Sequence, residues 1–215
     1  NAEDSADFVT IRERIRGETS LQSARTMGYL QYGWRFSPTM NAIAGVRANY
    51  WSLNEELLIS PRMQLAWDPS KRDSSKNYMV RFSAGVYQQP PFYRELRNLD
   101  GRINKNQEAQ RSYHFILGND YVFQMWGRPF KLSTELYYKY LDNLVPFEFD
   151  NVRLRYYAFE EARGYAAGLD TKLNGQFIDG VDSWFRLSVL KTEENVEGDG
   201  QGFVRRPTDQ RVTAS

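Results

Sequence analysis

The sequence predicts an all-β protein, an antiparallel meander of long strands that forms part of a large transmembrane β-barrel. Apolar and polar residues alternate with a period of two along most of the chain, which indicates strands with one apolar and one polar face. The alternating segments run for about 9–16 residues, whereas a tilted strand needs about 9–11 to cross a membrane and a sandwich strand usually has about 5–6. Short turns at one end of the strands and long loops at the other are the layout of a membrane barrel.

Eight segments alternate clearly enough to predict a strand in each. They are residues 21–36, 40–52, 57–67, 78–87, 111–123, 130–141, 163–177 and 183–191. Residues 205–215 are predicted to begin a ninth strand, and residues 8–15 are a weaker candidate. The whole chain, residues 1–215, is therefore predicted to be one partial transmembrane barrel of about eight to nine strands.

Charged residues are sorted strictly between the two faces. In the middle of all eight segments they lie on the polar face, and on the apolar face they occur only at strand ends, as Arg111, Arg163 and Lys191. An arginine that faces lipid at mid-bilayer costs roughly 2–4 kcal/mol, so lipid would enforce this sorting. Aromatic residues near the ends of the apolar face fit the interfacial girdles of a membrane barrel. They are Tyr50, Trp67, Tyr78, Phe123, Phe130, Tyr140 and Phe177.

The connections differ between the two ends of the predicted strands. One end has mainly short turns, including Asp179-Gly180, which predicts a tight hairpin. The other end has mainly long loops rich in charged and aromatic residues, at 88–110, 146–162 and 192–206. Residues 53–56 and 68–77 depart from the trend, since the first connection is short and the second is long.

Composition excludes several classes of function. The 215-residue chain has 28 basic and 27 acidic residues and a net charge of +1, so it lacks the basic excess of an electrostatic nucleic-acid binder. The absence of cysteine excludes disulfides, cysteine zinc sites and thiol catalysis, and the single histidine, His114, excludes histidine-rich metal sites. No catalytic constellation or glycine-rich phosphate loop stands out. We therefore expect a protein that is not an enzyme and that has no cofactor and no metal.

Several stretches resemble the barrel of TonB-dependent outer-membrane receptors. The stretch SPRMQLAWDP (60–69) precedes VRFSAGVYQQPPFYREL (80–96), which carries a Gly-x-Tyr-x-Gln-x-Pro pattern similar to that of the family. The residues of this pattern are Gly85, Tyr87, Gln89 and Pro91. Residues 164–194 and 206–212 also look like later barrel strands of the same family.

The resemblance implies a receptor that actively takes up a scarce substrate, such as an iron chelate, a vitamin, a glycan or a peptide. It implies a barrel of about 22 strands around an N-terminal plug domain, located in the bacterial (Gram-negative) outer membrane. The implied partners are outer-membrane lipids, the plug domain of the same receptor and the inner-membrane TonB complex, with surface lipoproteins as further candidates. The chain is accordingly expected to be a fragment, with the plug domain and the remaining strands outside it.

The polar face is expected to line the barrel lumen. Its predicted lumen-facing charged residues are Arg35, Arg47, Arg62, Arg81, Lys131, Glu135, Lys139, Asp170, Lys172 and Arg186. Two interpretations of the cations stay open. They can pair with Glu135, Asp120 and Asp170 and hydrogen-bond to a plug, or they can form a basic lumen that attracts an anionic substrate. His114 is expected to be an ordinary residue of this face.

The loop after the fourth predicted strand is a candidate substrate-binding region at the barrel mouth. Its residues combine aromatic rings, amides and arginines, which suit stacking and directed hydrogen bonds. The candidates are Tyr87, Gln88, Phe92, Tyr93, Arg94 and Arg97. The same prolines and aromatic residues can instead pack the loop against its neighbours, so both roles stay open.

Two rival functions are compatible with the sequence. A receptor-like barrel can act as a structural or assembly subunit of an outer-membrane complex. A soluble β-sandwich or propeller with a binding face also hides its apolar residues by alternation. Extraction into water without detergent distinguishes the soluble alternative from a membrane barrel.

Overall fold

The computed structural model describes residues 19–150, 153–206 and 209–215. These residues form one ten-stranded antiparallel sheet and a separate two-stranded hairpin. They contain no α-helix, and one turn of 3₁₀-helix occurs at Pro69–Lys71. The described residues include no helix with the length and apolarity that a membrane crossing requires. The weak strand candidate at 8–15 lies outside the described residues.

The prediction of an all-β antiparallel meander is confirmed. The strands are β1 (Arg25–Arg35), β2 (Met40–Trp51), β3 (Glu56–Trp67), β4 (Tyr78–Gln89), β5 (Gln110–Met125), β6 (Arg128–Leu144), β7 (Phe147–Asp150), β8 (Arg153–Tyr156), β9 (Ala162–Ile178), β10 (Val181–Val196), β11 (Val204–Arg205) and β12 (Val212–Ala214). The eight predicted strands correspond to β1–β6, β9 and β10, which lie side by side in chain order. The predicted ninth strand is present as β11 and β12, which both pair with β10.

The hairpin formed by β7 and β8 is a feature that alternation does not predict. Its two strands have only four residues each and lie inside the predicted long loop 146–162. With four residues each, these strands lie at the lower limit of length at which alternation indicates a strand. They pair only with each other among the described residues, so the main sheet passes directly from β6 to β9.

Tight turns join the long strands at one end of the sheet. β5 and β6 are connected by Trp126-Gly127, and both residues have positive φ, 55° and 71°. This is the type I′ geometry that matches the twist of the flanking strands. The predicted Asp179-Gly180 hairpin is confirmed, with Gly180 at φ 71°. The expected connection at 124–129 is shorter than predicted, because both of its strands continue into it.

The register keeps the apolar face continuous across the sheet. Partners in register lie on the same face, and one row of partners crosses from β2 to β10 without a polar residue. The row is Ala42, Leu65, Phe82, Leu117, Leu136, Leu169 and Val189. Ala42 is buried, but the larger side chains of the row are not covered by a second layer of described residues, and Leu117 and Leu136 are 50% and 56% exposed.

The opposite face is polar and concave. Asn49 of β2 and Leu141 of β6 line the same cavity, although their strands are four positions apart in the sheet order. In a flat sheet four strand spacings separate residues by about 19 Å, so the sheet must curl toward its polar face. The curled sheet stays open, because β1 pairs only with β2 among the described strands.

β3 and β4 separate toward the long-loop end of the sheet. Their ladder stops at the pair Arg62–Gly85, beside Pro61. Proline has no N–H to donate to a neighbouring strand, which explains why pairing ends there. Beyond this point the Ser60 hydroxyl donates to the Gln88 side-chain oxygen at 3.3 Å. The gap between the two strands leaves room for cavities on the polar face.

A small core lies at the long-loop end of the sheet. Trp51 and Leu58 of β2 and β3 are buried, and so is Leu96 of the connection between β4 and β5. Ala109 and Ala158, from the two longest connections, are fully buried as well. The loops at this end are therefore packed structures that rest on the strand ends.

Candidate functional site

The structure places all ten predicted lumen-facing residues on the polar face. They are Arg35, Arg47, Arg62, Arg81, Lys131, Glu135, Lys139, Asp170, Lys172 and Arg186. Their surroundings divide the face into two parts. One part, on β4–β10, carries carboxylates beside its cations. On the other, β1–β3, the single carboxylate is Glu56 at the start of β3, away from Arg47 and Arg62.

Ion pairs neutralise most cations of the first part. Arg81 Nη1 lies 2.7 Å from Asp120 Oδ2, and Lys131 Nζ lies 3.2 Å from the same oxygen. Arg81 Nη2 is also 3.6 Å from Glu135 Oε1. The Asp120 side chain is only 9% exposed, so this carboxylate is held almost entirely by its partners. The interpretation that polar-face cations pair with neighbouring carboxylates therefore describes this part of the sheet.

Three more cations of this part have partners within the sheet. Arg186 Nη2 lies 3.4 Å from Asp170 Oδ2. Lys139 Nζ lies over the Tyr137 ring at 5.3 Å, and Lys172 Nζ lies over the Trp184 ring at 5.6 Å. These cation–π contacts leave the ammonium groups solvated on one side.

Arg47 and Arg62 form a different environment, which we call the arginine cleft together with Ser60, Gln64 and Tyr87. The cleft has a volume of about 550 Å³, within the range of small-ligand sites. Among the described residues no Asp or Glu lines it. Within the part of the chain that the structure describes, its two guanidinium groups have no carboxylate partner of the kind that neutralises Arg81 and Arg186.

Glycines flank Arg62 on both neighbouring strands. Arg62 has Gly45 of β2 and Gly85 of β4 as its partners in register on either side. A Cβ added to Gly85 would lie 3.2 Å from Arg62 Cγ, and one added to Gly45 would lie 3.1 Å from the Leu30 carbonyl oxygen. Both approaches are tighter than ordinary contacts, so glycine at 85 makes room for the Arg62 stem, and glycine at 45 lets β2 lie close to the Leu30 backbone.

Tyr87 forms the aromatic wall of the cleft. The Arg62 guanidinium carbon lies 4.5 Å from the centre of the Tyr87 ring, a cation–π stack. The same ring packs against His114 at a centroid distance of 4.3 Å, and His114 Nε2 lies 2.6 Å from Ser112 Oγ. His114 therefore supports the wall of the cleft from a neighbouring strand.

A second cavity of about 390 Å³ continues the cleft toward the long loops. It shares Arg47 and Arg62 with the cleft, and no Asp or Glu of the described residues lines it. Asn49 also lines this cavity, and its side-chain oxygen is buried without a hydrogen-bond donor among the described residues. The two cavities together offer cationic donors and one unused acceptor.

The mouth loop, residues 90–109, is tied down on three sides. The Tyr93 hydroxyl is 2.6 Å from Ser23 Oγ, near the start of the sheet. The backbone N–H of Ala109 donates to Glu56 Oε2 at 3.0 Å, beside the turn between β2 and β3. Asn104 Nδ2 donates to the carbonyl of Ala158 at 2.6 Å, in the loop 145–161. These bonds hold the mouth loop over the strand ends.

The six predicted mouth residues divide between the cavities and the loop. Tyr87 and Gln88 line the second cavity, and Tyr87 also lines the arginine cleft. The Arg94 guanidinium carbon lies 5.7 Å from the ring centre of Phe92 and 5.7 Å from that of Tyr156. The remaining two residues line neither cavity. The Tyr93 hydroxyl is hydrogen-bonded to Ser23, and the backbone of Arg97 forms an isolated antiparallel β-bridge with Ile103 inside the loop.

In the loop 145–161 a side-chain hydrogen bond shifts the pKa of Tyr157. The Tyr157 hydroxyl donates to Glu148 Oε2 at 2.9 Å. This hydrogen bond, followed by burial, raises the pKa of Tyr157 above its ordinary value of 10.0. The Tyr157 backbone N–H also donates to the Pro146 carbonyl at 2.9 Å, which closes the loop around the β7–β8 hairpin.

Sequence reasoning grouped Arg47 and Arg62 with all other lumen cations and did not predict the arginine cleft. A signal is present in the sequence. From residue 19 to residue 67 the only acidic residues are Glu55, in the turn after β2, and Glu56, at the start of β3, whereas this segment contains several arginines. The glycine partners of Arg62 cannot be recognised in this way, because they depend on the register of three strands.

No protein-family model and no curated protein matches this chain. Function is therefore inferred from the chemistry of the two faces and of the loops. Within the described residues no group of three or more His, Cys, Asp or Glu could hold a metal ion. The arrangement can bind an anion at the arginine cleft, and it presents a broad apolar face on the other side of the sheet.

Proposed function

We propose that this chain is part of a transmembrane β-barrel of the bacterial outer membrane, in a TonB-dependent receptor that actively takes up a scarce substrate. The observation that carries the proposal is the uncovered apolar face. Leu30, Leu57 and Leu136 are 72%, 60% and 56% exposed on it. A soluble sheet buries such a face against a second layer, and among the described residues there is no such layer.

The apolar band has the height expected for a bilayer. On β6 it runs from Phe130 to Tyr140, and the next residue on that face is Asp142. At about 3.3 Å per residue and a tilt of about 40°, this stretch spans about 25 Å, the height of the apolar band in outer-membrane barrels. Asp142 is the register partner of Arg111 and lies 3.3 Å from Arg163 Nε, so charged residues end the band together.

Aromatic residues at the opposite end of the band also support a membrane position. Trp126, Phe130 and Phe177 pack edge-to-face, with ring centres 5.2–6.5 Å apart, at the tight-turn end of the sheet. Aromatic girdles of this kind mark the interface in membrane barrels. The band is thus bounded by aromatic rings at the turns and by ion pairs at the long loops.

The open edge of the sheet supports membership in a larger barrel. All eleven residues of β1 are exposed, and its outer edge has no partner among the described strands. Unpaired backbone groups are costly in lipid, so a sheet in a membrane must close. Further strands beside β1 would satisfy these groups.

The assignment to TonB-dependent receptors is supported by the resemblance of residues 60–69 and 80–96 to that family. The polar, concave face would then line the lumen, and the tied-down mouth loop would shape its outer entrance. Uptake would be driven through the plug domain by the inner-membrane TonB complex. No catalytic step is assigned to the chain.

Fractionation of cells that express the full-length protein tests the membrane assignment. We expect the protein to sediment with outer membranes, to resist extraction by alkaline carbonate, and to dissolve in detergent. Recovery in the aqueous extract without detergent would refute the transmembrane assignment. Co-purification with the TonB complex tests the transport assignment separately. A membrane-embedded protein that never binds TonB would favour a structural or assembly subunit instead.

A further inference from the structure

We propose that the arginine cleft binds the acidic group of a small hydroxylated anion, a solute that carries a carboxylate or phosphate beside a hydroxyl. The inference rests on the proposed uptake function, which it extends by naming the chemical class of the substrate. It follows from the charge, the shape and the hydrogen-bonding capacity of the cleft.

The charge of the cleft favours an anion. Arg81 and Arg186 are each within 3.6 Å of a carboxylate oxygen of the sheet, but Arg47 and Arg62 have no such partner among the described residues. Arg47 Nη2 donates instead to Met27 Sδ, a weak acceptor, at 3.2 Å. A carboxylate or phosphate can accept two parallel hydrogen bonds from one guanidinium, a much stronger interaction.

The shape of the cleft holds Arg62 ready for such a ligand. Its register partners are Gly45 and Gly85, its stem lies against Gly85, and its guanidinium stacks on Tyr87 at 4.5 Å. A planar group held by stacking loses little conformational freedom when it forms further hydrogen bonds. Arg47 reaches the same cavity from the neighbouring strand, on the diagonal from Arg62 across the β2–β3 pair.

The hydrogen-bonding capacity indicates a hydroxyl on the ligand. The buried Asn49 oxygen is an acceptor without a donor among the described residues, and an unsatisfied buried acceptor is unfavourable. Asn49 is one of the residues that line the cavity shared by Arg47 and Arg62. A ligand with a hydroxyl next to its acidic group would donate to Asn49 while the arginines bind the anionic oxygens.

Titration calorimetry of the detergent-purified full-length protein tests this proposal with two dicarboxylates, tartrate and succinate, which differ in hydroxyl groups. We expect tartrate to bind more tightly than succinate. Arg62→Gln should weaken tartrate binding about 10- to 100-fold, since a hydrogen bond to a charged group contributes roughly that much. Arg47→Gln should also weaken tartrate binding. Asn49→Leu should remove the preference for tartrate over succinate.

Arg35→Gln is the matched control, because Arg35 is a polar-face arginine of β1 that lines neither cavity. We expect it to leave tartrate affinity unchanged. Equal loss in the Arg35 and Arg62 variants would show non-specific charge attraction and overturn the proposal. So would the absence of saturable binding below about 10 mM, a concentration that corresponds to very weak affinity.

A carboxylate from another part of the same protein is the competing occupant of the cleft. In that case Arg62→Gln would lower the melting temperature of the full-length protein, and tartrate would neither bind nor stabilise the wild type. That outcome would overturn the proposal while leaving the membrane assignment intact. Conversely, a protein that proves soluble could still bind tartrate at the cleft, so the two proposals fail separately.

Discussion

Placing an arginine on either face of β4 tests the membrane orientation of the sheet directly. Phe82 lies at the centre of the apolar stretch of β4, between its register partners Leu65 and Leu117. Ser83, the next residue, points to the polar face and lines the arginine cleft. Phe82→Arg should cost about 2–4 kcal/mol, the cost of an arginine at the bilayer midplane. That is a loss of about 30- to 900-fold in the equilibrium between folded and unfolded protein.

Ser83→Arg keeps the added charge in the concave polar space and should cost less than about 1 kcal/mol, as surface substitutions usually do. The free energy of unfolding can be measured by urea titration of the full-length protein in lipid vesicles, with heat-modifiable electrophoretic mobility as the signal. Equal losses for Phe82→Arg and Ser83→Arg would refute the assigned orientation. A larger loss of unfolding free energy for Ser83→Arg would show that the face with Ser83, not the face with Phe82, contacts lipid.

Three further substitutions test packing and ionisation. Gly175→Ala should lower the free energy of unfolding by about 1–3 kcal/mol, because the new Cβ would lie 2.6 Å from Phe130 Cε1 and displace the ring. Leu96→Ala removes a fully buried side chain and should cost about 2–5 kcal/mol locally, seen as faster proteolysis of the mouth loop. The Tyr157–Glu148 hydrogen bond should persist below pH 10 and be lost as pH rises through the raised pKa of Tyr157. The absorbance difference between wild type and Tyr157→Phe near 295 nm measures that titration, and a midpoint at or below 10 would contradict it.

Matched variants control the first two of these substitutions. Gly33→Ala places its Cβ no closer than 3.9 Å to Ala42 and should change stability by less than about 0.5 kcal/mol. If it destabilises as much as Gly175→Ala does, the clash with the ring is not the cause. Leu99→Ala alters the same loop at a residue that is already 38% exposed, and it should leave proteolysis unchanged. Similar cleavage of the Leu96 and Leu99 variants would argue against a packed loop core.

The amino-acid sequence alone determined the eight long strands and the two faces of the sheet. The reason is that alternation is a local property. Each side chain of a strand points away from its neighbour, so Phe82 and Arg81 must lie on opposite faces whatever else the chain does. The tight hairpin at Asp179-Gly180 was predictable for the same reason, because the backbone conformation of glycine specifies the turn locally.

The roles of the polar-face cations and of the mouth loop were decided only by tertiary structure. Arg81 is neutralised by Asp120, which is 39 residues away in sequence, whereas Arg62 meets glycines on both neighbouring strands. Tyr93 bonds to Ser23 across 70 residues of sequence, which ties the loop to the start of the sheet. These partners depend on register, on the interruption at Pro61 and on the curl of the sheet. Register and curl involve several strands, and Pro61 interrupts pairing with β4 but not with β2. Alternation could therefore predict a charged polar face, but not which of its arginines lack a carboxylate partner among the described residues.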